Sequence, residues 1–146
     1  MVQTRAVAGY STRTLTEKLG IRPGMRVVLV GAPEGVIPDV GAGTRLRAGT
    51  ELIVVFVTRR ADLERRWARL TGALVPTGAL WVAWPKRASK VATDMTEHVV
   101  REIALPTGWV DTKVCAIDDV WSGLRCVLRV SERPPAPAQE LPASRG

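Results

Sequence analysis

The chain is predicted to fold as one α/β domain with a mostly parallel sheet, helices on both faces and a C-terminal antiparallel hairpin. Three observations predict it. Glu51–Val57 and Ala79–Trp84 are apolar on consecutive residues rather than alternate ones, as in strands buried on both faces. Between them, Leu63, Trp67, Leu70 and Leu74 recur at helical spacing. Beyond them, Trp109–Ile117 and Ser122–Val130 are joined by Asp118–Trp121, a link that suits a hairpin and is too short for a crossover.

The elements follow in chain order. Residues 1–9 read as a loose arm, 10–130 as the domain and 131–146 as a disordered tail carrying Pro134, Pro135 and Pro137. Thr14-Leu15-Thr16-Glu17 fits a capping box and opens a short helix that Gly20 closes. A Pro23-Gly24 turn leads into an apolar strand over Met25–Val30. Gly31–Thr50 holds five glycines and two prolines, and a short edge strand at Thr44–Arg47 is the only element expected there. The strand Glu51–Val57, a helix over Ala61–Leu74 and the strand Ala79–Trp84 form a βαβ crossover, with an Asp62–Arg66 pair on the exposed helix face. Asp94 and Glu97 suggest a second capping box, opening a helix that ends near Ala104 before Pro106. In the hairpin, pairing Ile117 with Ser122 sets Cys115 and Cys126 as diagonal neighbours on one face.

Composition narrows the function classes. No apolar run exceeds six residues (Leu52–Val57), so no bilayer-spanning helix is expected. The first nine residues lack a signal-peptide core, so the expected location is cytoplasmic. Two cysteines, one histidine and no Cys-x-x-Cys leave no self-contained metal site, and both thiols read as buried. The net charge is +7; the tail contributes nothing and the arm one, so the domain carries the rest. Only four of the 21 basic residues are lysine, and they form no cluster interleaved with stacking aromatics, so nucleic acid is not the expected partner.

Ligands of open α/β sheets sit beyond the carboxyl ends of the parallel strands. Three segments converge there: Gly31–Gly35, Thr58–Arg60 and Trp84–Asp94. Lys86, Arg87 and Lys90, with Trp84 and Asp94, make a candidate site for a small anion. His98 reads as a half-buried structural residue and Asp118 with Asp119 as turn formers. Trp67 and Trp81 suit a core, whereas Trp84, Trp109 and Trp121 fall at element ends, suited to a pocket or an interface.

Two stretches extend the layout to a family. Lys18-Leu19-Gly20-Ile21-Arg22-Pro23-Gly24-Met25-Arg26-Val27 is similar to the entry into the first strand of class I S-adenosylmethionine (SAM)-dependent methyltransferases. Ala73-Leu74-Val75-Pro76-Thr77-Gly78-Ala79-Leu80-Trp81-Val82 is similar to their helix–Pro-Gly–strand segment. The chain thus resembles a shortened, Rossmann-like methyltransferase fold. The stretch Leu80–Lys90 (LWVAWPKRASK), with Thr93-Asp94, Val110–Asp118 (VDTKVCAID) and Trp121–Leu124 (WSGL), further resembles the signature of a bacterial domain family of unknown function. The methyltransferase resemblance implies an acidic residue ending the first strand, a following Gly-x-Gly-x-Gly loop, and a carboxylate on the second strand for the ribose. Here Leu29 takes the acidic position and Pro33 the middle glycine between Gly31 and Gly35. Twenty residues, Gly31–Thr50, replace two helices and two strands. No cofactor is therefore expected. The expected function is non-catalytic binding of a small anion or a protein partner, the alternatives being a methyltransferase completed by another subunit and a nucleic-acid-binding module. The shortening also leaves the first strand at a sheet edge. Either Gly31–Thr50 folds back over it or a second copy covers it, which makes a homodimer one expectation.

Overall fold

The N-terminal helix forms where its capping residues put it. In the computed structural model, which describes residues 14–134, α1 (Leu15–Leu19) has both halves of its capping box: Glu17 N donates to the Thr14 hydroxyl and Thr14 N donates to the Glu17 carboxylate. Gly20 closes it with φ of 83°. The arm at 1–9 and the tail beyond 134 lie outside the described residues; Val130–Glu132 form a 3-10 turn against the domain.

The strands are β1 (Val27–Val30), β2 (Thr50–Phe56), β3 (Leu74–Pro85), β4 (Trp109–Ala116) and β5 (Trp121–Leu128). They form one sheet of order β1-β2-β3-β5-β4. β1, β2 and β3 are parallel, and β5 is antiparallel to both β3 and β4. The sheet is therefore mixed, not mostly parallel. A single reversed strand does this, because β5 is inserted between β3 and β4 and makes antiparallel pairs on both sides.

The two long helices, α2 (Arg60–Ala73) and α3 (Glu97–Ala104), pack on one face. There Leu63, Trp67, Leu70, Val100 and Ala104 meet Ile53, Val55, Leu80, Val82 and Leu124. On the other face α1, the link that follows it and the coil after β1 supply Leu19, Ile21 and Ile37 over Leu52, Val54, Phe56 and Trp81. The helical stripe Leu63, Trp67, Leu70, Leu74 is buried throughout, although Leu74 already belongs to β3.

Four local expectations are corrected. Asp62 pairs with Arg65 at 2.9 Å rather than with Arg66. The coil after β1 contributes no strand at 44–47; instead Gly43 bridges β1, donating to Val27 O at 2.8 Å and accepting from Leu29 N at 2.9 Å. The N-cap of α3 is Thr96, whose hydroxyl accepts from Val99 N, because Asp94 is engaged elsewhere. In the hairpin, the Ile117 and Asp118 amides both donate to Trp121 O, a bulge that slips the register by one. Cys115 thus faces Gly123 on the Trp81 side and Cys126 faces Leu80 on the other, so the two thiols lie on opposite faces.

Candidate functional site

The segment after β3 builds a groove at the carboxyl end of the sheet. Lys86 N donates to Val120 O, and residues 87–89 make a 3-10 turn. Lys90 closes that turn with φ of 63°, the only non-glycine residue at positive φ among those described. Glycine or asparagine ordinarily takes such a position, because a Cβ crowds the backbone there. The chain then passes through Thr93, whose hydroxyl donates to Thr58 O at 2.6 Å and ties this loop to the end of β2.

Asp94 has a structural task. Its carboxylate accepts from Arg60 N at 2.7 Å, at the start of α2, where Arg59 provides no side-chain cap. It therefore caps a helix 34 residues away in sequence. The resulting groove, about 420 Å³, is lined by Trp84, Arg87, Lys90 and Asp94 together with the chain up to Glu97. A smaller one of about 290 Å³ adjoins it and adds Thr58 and Arg59. Glu97 is held by Arg101 at 2.7 Å, so both carboxylates of the groove are engaged. Arg59, Arg87 and Lys90 have no ion-pair partner among the described residues.

Of the expected site residues, Trp84, Lys90 and Asp94 line one groove, with Trp84 largely buried in the core. Lys86 begins the same loop but does not line the groove. Gly31, Pro33 and Gly35 lie apart from it, at the end of β1. Arg59, in the segment Thr58–Arg60 expected to converge at this end of the sheet, lines the adjoining groove. Trp109 is buried against Trp67, and Trp121 packs edge-on to Phe56 with ring centroids 5.1 Å apart. His98 is not half-buried: its side chain is 77% exposed and sits 3.0 Å from Glu102 at the next turn of α3. The hydrogen bond from Arg60 holds the Glu102 carboxyl below its ordinary value. Asp118 is a turn former, accepting from Val120 N and Trp121 N. Burial pushes the Cys126 thiol up to about 12, which keeps it protonated and unreactive. Among the described residues no cluster of His, Cys, Asp and Glu could hold a metal ion. No helix there is long and apolar enough to cross a membrane.

The end of β1 does not fit SAM. Leu29 packs against the second core cluster where an acidic residue would face the cofactor. A Cβ on Gly31, at φ of 70°, would lie 3.2 Å from Phe56 O, so this glycine permits a close approach of two strands. Ala32 packs into the core, and Val36 N turns back to Pro33 O. Among the described residues the only backbone paired to the outer side of β1 is Gly43, so no strand stands there to carry a ribose-binding carboxylate.

No family model and no curated protein matches the chain. Solved structures do. A SAM-dependent methyltransferase from Aquifex aeolicus superposes with a TM-score of 0.53 at 13% identity, over 77% of this chain and 86% of its own. The magnesium protoporphyrin IX methyltransferase ChlM of Synechocystis PCC 6803, solved with bound SAM, gives 0.55 at 12% identity, over 78% and 74%. LepI in complex with SAM gives 0.52 at 14% identity over 79% of this chain, which spans only 39% of LepI. At such identities the likeness is one of fold: the chain has a methyltransferase-like α/β architecture.

Proposed function

We propose that this chain is an anion-binding domain on a methyltransferase-like fold, and that it does not itself carry SAM or catalyse methyl transfer. The anion site is the groove beyond β2 and β3. The observation that carries the reading is Lys90, an unpaired cation in a backbone conformation that costs a lysine about 1 kcal/mol relative to glycine. Residues strained in this way cluster at active sites and ligand clamps. Arg87 stands on the same groove, and Arg59 on the adjoining one, at the end of the sheet where open α/β folds take ligands.

The test is a titration with pyrophosphate followed by amide-resolved NMR. Shifts are expected at residues 84–97 and at Thr58 and Arg59. Lys90→Gly should raise stability by about 1 kcal/mol in urea denaturation and weaken pyrophosphate about tenfold. The opposite signs separate a functional lysine from an indifferent one. Shifts confined to other regions, or unchanged affinity in Lys90→Gly, would contradict the assignment.

A further inference from the structure

We infer that the open edge of the sheet beside β1 is a docking groove for the phosphate backbone of a nucleic acid. Shortening of the fold leaves β1 outermost, and two open grooves of about 590 and 510 Å³ run along it, sharing Thr44 and Arg45. Arg26, Arg45 and Arg47 line the first; Arg45, Arg66 and Arg69 line the second. Neither groove has an aspartate or glutamate in its lining.

None of these five arginines makes an ion pair among the described residues, whereas Arg60, Arg65 and Arg101 all do. Asp62 turns to Arg65, which leaves Arg66 to the groove. Arg26 donates its Nε to Gly49 O, a neutral partner, and its guanidinium makes no ion pair among the described residues, the Glu51 carboxylate beside it accepting from its backbone amide instead. Two separate elements, α2 and the coil before β2, thus present guanidinium groups to one channel. The planar fork of arginine matches phosphate oxygens, and unneutralised cations gain most from releasing the counterions of a polyphosphate.

Two other occupants fit less well. A protein interface relies on apolar anchors, and the exposed large apolar residues, Val91, Leu105, Val114 and Val130, all lie outside these grooves. A second copy on a two-fold axis would set the same arginines against each other. The Gly43 bridge, moreover, already occupies backbone groups on that side of β1.

Fluorescence anisotropy with a labelled oligonucleotide, single-stranded and duplex, tests this across a salt series. Binding should weaken linearly in log–log form with salt. Arg45→Glu/Arg66→Glu should weaken it at least about tenfold and lower the salt slope by about 2. The milder Arg45→Gln/Arg66→Gln pair should act in the same direction, and thermal melts establish that both fold. Arg129→Glu, an exposed arginine beyond β5, should change affinity less than about twofold. Absence of salt-dependent binding would overturn the inference. So would equal losses in Arg66→Glu and Arg129→Glu, which would reduce the effect to net charge. Displacement of the oligonucleotide by polyglutamate as readily as by polyphosphate would overturn it in favour of an acidic protein partner.

Discussion

Trp81→Ala should cost about 3–5 kcal/mol in urea denaturation, the largest single effect expected in this chain. Trp81 is fully buried on β3 and fills the face that, among the described residues, α1 and coil cover. Its indole Nε1 donates to Leu19 O at 2.8 Å, joining residues 62 apart in sequence and fixing the end of α1 to the sheet. Gly123 is fitted to the ring, since a Cβ there would come 3.1 Å from it. Alanine would open a cavity and leave the Leu19 carbonyl without its buried partner. Trp81→Phe separates the two terms: most of the apolar volume stays and the donor goes, so about 1–3 kcal/mol should be lost. Equal losses in both variants would show that the hydrogen bond, not the packing, holds α1.

Gly31→Ala is the second. It should destabilise by about 2 kcal/mol, combining the left-handed φ of 70° with a Cβ 3.2 Å from the Phe56 carbonyl. The carbonyl belongs to β2 and cannot swing away as a flexible side chain would. The result bears on function as well. A glycine that serves strand packing should show its loss in stability, with pyrophosphate affinity unchanged once the variant is folded. A variant of normal stability with altered ligand binding would return Gly31 to the binding site.

The parts of the fold legible in the sequence were those written in local chemistry. The capping box at Thr14 and Glu17, the apolar runs of β2 and β3, and the stripe from Leu63 to Leu74 each depend on neighbours within a turn or a strand. What escaped was non-local. Nothing in the sequence of β5 says that it inserts between β3 and β4. Asp94 has the sequence signature of a cap for its own helix, yet it caps α2 across 34 residues. The Ile117–Asp118 bulge depends on one carbonyl accepting two amides, which no residue type announces. The groove at 84–97 was visible because its cations share one loop, and Thr58–Arg60 was expected beside it because it follows the carboxyl end of a parallel strand. The arginines of the β1 edge were invisible as a set, since Arg26, Arg45 and Arg69 meet only after the sheet forms.

Titration of the purified protein with S-adenosylhomocysteine by calorimetry tests most directly whether the shortened fold has lost its cofactor. The structure predicts no heat of binding up to millimolar ligand, because Leu29 is committed to core packing, Gly31 to a close approach to β2, and no strand carrying a ribose-binding carboxylate lies beyond β1 among the described residues. Micromolar binding would contradict it and move the search from anions at the Lys90 groove to methyl acceptors.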